Sequence, residues 1–244
     1  MLNIINKTWL ALATLMLPGL AMASNAAATA TEHTRLDLTD SAIGIRDEVE
    51  CHPIEDERLI GWWSKIAFFQ APLIDVEGPV LSIDLDMVIV DNIDCFFDFE
   101  PTEFCMKWDY NGHGHSSCVM RYNAGEHGHI YDNININETD FATHNTVAGF
   151  KNKKYWGDQK WITEQMEGKV KLWPKEWVQK YVKECHRDPD TLKSIEERKA
   201  QRAHLIDLNK EEFFIPVGCK IIAFSGVHFR NEDELHKLGE WWKV

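Results

Sequence analysis

The sequence lacks three patterns that would assign it to common classes of protein. Its six cysteines include no C-x-x-C pair, so we do not expect a zinc cluster. Basic residues are scarce, because 26 Lys and Arg stand against 39 Asp and Glu and give a net charge of -13. This balance argues against a nucleic-acid partner, which needs clustered cations to bind phosphate. No apolar run reaches the roughly 20 residues of a transmembrane helix, so we expect no stable membrane span.

The residues that are present indicate a folded α/β protein. Of the 244 residues, 44% are apolar and 27% are charged, which is typical of a globular chain able to bury a core. Segments with strand and helix patterns alternate along the sequence, and this order favours one α/β domain. Ten tryptophans are many for this length. Most should pack in the core, although tryptophan faces also stack on sugars.

The first 30 residues have the pattern of a targeting segment. Lys7 precedes an apolar run from Trp9 to Leu20, and Ala21-Met22-Ala23 fits a small-x-small cleavage site. We therefore predict a signal-like segment and linker over residues 1–30 and a folded domain over residues 31–244. The location would be secretory or periplasmic if the signal is used, and cytoplasmic otherwise.

The stretch from Leu81 to Asp94 carries the strongest chemical signal. It is predicted as one buried β-strand with two acids, Asp84 and Asp86, in an otherwise apolar run. Residues i and i+2 of a strand project from the same face, so the two carboxylates should lie side by side. Buried carboxylates need a partner, and hard oxygen ligands suit Mn²⁺ or Mg²⁺.

Three further residues have two interpretations each. Lys65 follows the start of a predicted helix at Gly61 and lies off its apolar stripe, so it either reaches a phosphate or is a surface lysine. Asp158 is either the cap of a helix or a site residue. His228 lies in the loop after a predicted buried strand at residues 220–224, the kind of loop at which α/β proteins bind ligands. Residues 190–208 are predicted as a charged, solvated helix.

Four motifs, in this order, are similar to those of the bacterial GT-A glycosyltransferases near glycosyltransferase family 8. The resemblance covers about residues 36–244. Its motifs are Gly61-Trp62-Trp63-Ser64-Lys65, the DxD region from Ile83 through Asp84 and Asp86 to Asp94, residues 116–125, and Gly157-Asp158-Gln159-Lys160-Trp161-Ile162; Trp173-Pro174 and Trp177-Val178 also fit.

The resemblance implies a GT-A-like mixed sheet flanked by helices. It also implies a nucleotide-sugar donor, most simply a UDP-sugar, an unidentified acceptor, a divalent metal such as Mn²⁺ (or Mg²⁺), and transfer with retained anomeric configuration. Lys65, Asp84 and Asp86 would bind the donor, and Asp84 and Asp86 would hold the metal. Asp158 and Gln159 would be the catalytic residues on the sugar and acceptor side.

The chain departs from the family at two points. Ser225 stands where the family has a metal-binding histidine, so His228 is the candidate replacement. The matching region begins only near Leu36, so the GT-A-like domain is expected to be truncated at its N-terminus. Two alternatives stay open. One is a non-catalytic GT-A-like sugar-binding domain, and the other is a phosphatase of the haloacid-dehalogenase type with Asp84 as nucleophile.

Overall fold

A computed structural model describes the backbone of residues 13–18 and 33–39, and residues 50–73, 76–109, 115–142, 153–198 and 207–224. The strands there are β1 Ala13–Pro18, β2 His33–Thr39, β3 Glu50–Pro53, β4 Pro79–Asp84, β5 Met87–Ile89, β6 Phe104–Lys107, β7 Ser116–Asn123, β8 Val170–Leu172, β9 Val178–Lys180, β10 His186–Arg187, β11 Glu212–Phe213 and β12 Ile221–Ala223. The α-helices are α1 Cys95–Asp98, α2 His129–Asp132, α3 Asp158–Gln165 and α4 Tyr181–Glu184, and 3₁₀-helices cover Gly61–Phe69 and Leu208–Lys210.

The chain divides into two compact units. Unit 1 comprises Met1–Leu85 and Phe96–Leu172, and unit 2 comprises Asp86–Cys95 and Trp173–Val244. Both units contain mixed sheets, and the helices in the described ranges are short. The α/β class predicted from the sequence is therefore confirmed at this coarse level.

Unit 1 is built on a sheet of seven strands in the order β3-β2-β1-β4-β7-β6-β8. The neighbours β2/β3 and β6/β8 are parallel, and the other pairs are antiparallel. Apolar side chains from β4, β6 and β7 pack with the 3₁₀-helix Gly61–Phe69, α2 and α3 to form its core. Strand β7 pairs with β4 on one side and with β6 on the other. Six of its eight residues are buried, as is typical of a strand inside a sheet.

The N-terminal region enters this sheet. Residues 13–18, which belong to the apolar run that predicts a signal segment, form β1 between β2 and β4. The predicted short strand around Leu36 is confirmed as part of β2. Export of the chain remains a prediction.

Unit 2 contains a sheet in the order β5-β12-β9 and the antiparallel pair β10-β11. Strand β12 is antiparallel to β5 and parallel to β9. Its core includes Val88, Val90, Tyr181, Ile222 and Phe224. No helix in the described parts of either unit is long and apolar enough to cross a membrane.

Two elements differ from the sequence prediction. The single strand predicted over 81–94 is wrong, because a turn at Leu85-Asp86 separates β4 from β5. The two halves also pair with different strands, β4 with β1 and β7, and β5 with β12. The helix predicted over 190–208 is also wrong where it is described, since residues 190–198 form turns that begin at Asp188.

Candidate functional site

The candidate site lies in unit 1 where three elements meet. Asp84 is the last residue of β4, one position beyond the paired residues Ile83 and Val119 of β4 and β7. Lys65 comes from the 3₁₀-helix Gly61–Phe69 and Asp158 from the first turn of α3. Their side chains converge although the three residues are far apart in the sequence.

Lys65 is the centre of this group. Its ammonium Nζ lies 2.7 Å from Oδ1 of Asp84 and 3.4 Å from Oδ2 of Asp158. It also donates hydrogen bonds to the hydroxyl of Ser117 at 3.2 Å and to the carbonyl of Ser117 at 3.3 Å. Lys65 is only 3% exposed, so the interpretation as a surface lysine is wrong. We call Lys65, Asp84, Ser117 and Asp158 the charged cluster.

Asp158 belongs to the cluster and does not cap its helix. The N-cap position is Gly157, and no side chain caps it. The carboxylate of Asp158 instead accepts a hydrogen bond from the Ser117 hydroxyl. The interpretation as a cap is therefore wrong, and a role for Asp158 as a site residue stays a prediction.

The charges in the cluster do not balance. With all groups ionised, two carboxylates face one ammonium, which leaves one negative charge in excess. Burial acts to lower the pKa of Lys65, but Asp158 and Asp84 together outweigh it and raise the pKa above its ordinary value. Burial raises the pKa of Asp84, and Asp158 adds to the rise while Lys65 opposes it. The cluster therefore holds a lysine that stays protonated beside a carboxylate, Asp84, whose ionisation is made unfavourable by burial.

The surroundings of the cluster are also buried. Cys118 follows Ser117 on β7 and is buried, and burial raises the pKa of its thiol. Lys107 is buried on β6, opposite Ser116 in the sheet register. The low dielectric of this environment strengthens each interaction in the cluster and increases the cost of its excess charge.

The remaining site residues predicted from the sequence lie elsewhere or outside the described residues. Asp86 belongs to unit 2, where its backbone carbonyl accepts a 2.9 Å hydrogen bond from Phe224. The prediction that Asp84 and Asp86 project from one face of a shared strand is wrong, because Asp86 lies in the turn. Gln159 follows Asp158 in α3 and is half-buried. Ser225 and His228 lie outside the described residues.

Asp84 is the partly exposed carboxylate of the charged cluster, whereas Asp158 is buried. Oδ1 of Asp84 is buried against Lys65, whereas 24% of the side chain is exposed. A carboxylate with one oxygen fixed by an ammonium and the side chain partly accessible can offer an oxygen to a cation. Within the described ranges, no group of three or more His, Cys, Asp and Glu side chains is arranged around one metal position.

Two buried polar residues were not singled out by the sequence interpretation. Ser117 links Lys65 to Asp158, and only its place in the motif of residues 116–125 could have indicated it. Arg121 is fully buried on the same strand and donates to three consecutive backbone carbonyls, those of Phe99, Glu100 and Pro101. An arginine within an apolar strand pattern is the signal that could have identified it.

Comparison with known proteins gives no relative. No family model matches the chain, and searches of curated proteins and of solved structures also return no match.

Proposed function

We propose that this protein is a metal-dependent glycosyltransferase of the GT-A type, which transfers a sugar from a nucleotide-sugar donor, most simply a UDP-sugar, to an acceptor. The observation that carries the proposal is the buried charged cluster at the end of β4, where one lysine lies between two carboxylates. All four of its residues lie in the motifs that resemble the family.

Lys65 has two tasks in this proposal. Its charge fixes Asp84 and Asp158 in place, since it contacts both carboxylates. The same charge attracts the phosphates of an incoming donor. Because its pKa is raised, Lys65 stays protonated throughout the neutral range.

The excess negative charge supports a cation at Asp84. Asp84 would offer a carboxylate oxygen to Mn²⁺ or Mg²⁺, and Asp86 and His228 stay candidate ligands from the sequence alone. A bound divalent cation would neutralise the charge that develops on the departing nucleoside diphosphate. It would also remove the cost of ionising Asp84, because a nearby positive charge favours the carboxylate form.

Asp158 and Gln159 would act on the sugar and acceptor side. Oδ2 of Asp158 accepts a hydrogen bond from the Ser117 hydroxyl, and the same oxygen also faces Lys65. A carboxylate held in this way is oriented before the substrate binds, and pre-orientation lowers the barrier to reaction. The hydroxyl of an acceptor could then donate its hydrogen bond to Asp158.

The test is a calorimetric titration of the full chain with UDP in the presence of Mn²⁺. Wild type should bind UDP in a Mn²⁺-dependent manner, whereas Asp84→Asn and Asp86→Asn should lose that dependence. Asp98→Asn is the matched control, because Asp98 is an exposed acid at the end of α1. Turnover of UDP-sugars is then compared across the same variants.

Two results would contradict the proposal. Well-folded wild type that binds neither UDP nor Mn²⁺ would indicate a non-catalytic domain. Unchanged turnover in both Asp84→Asn and Asp86→Asn would show that the reaction does not use these carboxylates.

A further inference from the structure

Two tryptophans lie on the segments that carry Lys65 and Asp158. Trp62 and Trp156 pack edge to face, with ring centroids 5.8 Å apart and an interplanar angle of 83°. Both are half-buried. Trp63, Trp161 and Trp173 are by contrast buried, at 2%, 6% and 3% exposure. We call Trp62 and Trp156 the tryptophan pair.

Trp62 lies on the same side of its helix as Lys65. In a 3₁₀-helix, residues i and i+3 are aligned one above the other, so Trp62, Lys65 and Phe68 form one row. Exposure falls along this row, from half-buried Trp62 to Lys65 at 3% and Phe68 at 1%. The row therefore extends from a partly exposed tryptophan to the buried lysine of the charged cluster.

Trp156 is connected to the cluster through the start of α3. It precedes Asp158 by two residues, and the residue between them is Gly157 in an extended conformation. The backbone of Gly157 lies against Trp62, since a Cβ at this position would be 3.6 Å from Cε3 of the Trp62 ring. The tryptophan pair thus contacts the segment that carries Asp158.

A neutral acceptor sugar needs this kind of surface. A nucleotide-sugar donor has phosphates, which Lys65 and a metal at Asp84 attract by charge. An uncharged sugar has no such group, so its binding must come from hydrogen bonds and from contact with its apolar ring face. A half-buried aromatic pair beside a carboxylate supplies both, the stacking face from the rings and the hydrogen-bond acceptor from Asp158.

We infer that the tryptophan pair is the platform on which a neutral sugar ring of the acceptor stacks, with the acceptor hydroxyl directed to Asp158. This inference rests on the proposed function, and it identifies the acceptor as a carbohydrate.

The experiment measures sugar and nucleotide binding separately in the full chain. Saturation-transfer NMR with lactose, cellobiose and maltotriose, in the presence of Mn²⁺ and UDP, reports the sugar, and calorimetry reports UDP. Trp62→Ala and Trp156→Ala should each weaken binding of the preferred sugar about tenfold and leave Mn²⁺-dependent UDP binding unchanged. Trp62→Phe keeps an aromatic face, so it should retain most of the sugar affinity even if Trp62→Ala folds poorly.

Trp177→Ala is the matched control. Trp177 is also half-buried and packs on another tryptophan, Trp173, but it lies in unit 2. Its removal should leave sugar binding unchanged.

The remaining outcomes overturn the inference in distinguishable ways. Equal sugar affinity in wild type and in both alanine variants would show that the tryptophan pair does not bind the sugar. Loss of UDP binding in those variants would show that the pair stacks on the nucleobase. Wild type that binds UDP and Mn²⁺ but none of the three sugars would refute a neutral-sugar platform and leave the proposed function standing. Failure to bind UDP with Mn²⁺ would refute the proposed function itself.

Discussion

Replacing Lys65 by methionine tests whether the charged cluster is held together by the buried ammonium. Methionine keeps much of the side-chain volume, so the change removes the charge and leaves little cavity. Asp84 and Asp158 then face each other without a cation between them. Removing one partner of a buried ion pair costs about 3–5 kcal/mol, because the other charge is left uncompensated.

The partial exposure of Asp84 places the expected loss at the lower end of that range. Its side chain is 24% exposed, so water can solvate part of the released carboxylate, whereas Lys65 is 4% exposed on the same measure. We therefore expect Lys65→Met to lower the free energy of unfolding by about 3 kcal/mol at pH 7. For a chain of this length that loss lowers the melting temperature by about 6–12 °C.

The dependence on pH gives the second part of this test. The pKa of Lys65 is raised in the folded state, so its stabilisation is fully present below the ordinary lysine pKa and is lost as the pH rises through the folded value. At acid pH the burial-raised pKa of Asp84 lets this carboxyl take up a proton, which removes the repulsion. The deficit of Lys65→Met should therefore narrow as the pH falls from 7 to about 4.

Urea denaturation followed by tryptophan fluorescence measures both effects. Lys160→Met is the matched control, because Lys160 lies on α3 with its Nζ 3.9 Å from Glu164, at 34% side-chain exposure. Such a pair contributes about 0.5 kcal/mol or less. A loss below about 1 kcal/mol for Lys65→Met, equal at pH 7 and pH 4, would refute a buried ammonium as the link between the two carboxylates.

Three further substitutions test single features by the same denaturation assay. Asp84→Asn should raise the urea midpoint at pH 7, because burial raises the pKa of Asp84 and makes its ionised form costly. The gain in stability should vanish at acid pH, where the wild-type carboxyl is itself protonated, and a gain that persists there would contradict this cause. Arg121→Met should lower the free energy of unfolding by about 3 kcal/mol, since three backbone carbonyls lose their donor. Arg58 is exposed, so Arg58→Met should lower it by less than about 1 kcal/mol, and equal losses would contradict a special role for the buried arginine. Gly218→Ala should lower the free energy of unfolding by about 1 kcal/mol, because φ is 81° there. Gly157→Ala should lower it less, because Gly157 has an extended φ, and equal losses at the two glycines would contradict a role for backbone conformation.

The sequence was sufficient to predict the α/β class and three residues of the charged cluster, but neither Ser117 nor the arrangement of the four side chains. Lys65, Asp84 and Asp158 could be named because each stands out chemically in its own segment. The contacts between them depend on how the helix, the strand and α3 pack, which is a tertiary property. The burial of Lys65 could not be predicted, since a lysine off an apolar stripe is usually solvated.

The position of Asp86 was missed for a different reason. Apolar residues continue on both sides of Leu85 and Asp86, so the pattern indicates one long strand. The turn arises because β5 pairs with β12, more than 100 residues later in the chain, and periodicity carries no information about that partner. The helix predicted over 190–208 failed similarly, since the charged composition of residues 190–198 suits turns as well as a helix.

The division of unit 2 into two separate chain segments has a consequence for synthesis. Residues 86–95 are made between the two segments of unit 1, yet their partner strand β12 is made after both segments. During translation, all of unit 1 can emerge and fold while β5 still has an open edge and Val88 and Val90 lack the rest of their core. The nascent chain therefore exposes an unpaired, apolar strand until β12 is made. A chaperone would be needed during this interval to prevent aggregation through the open strand edge.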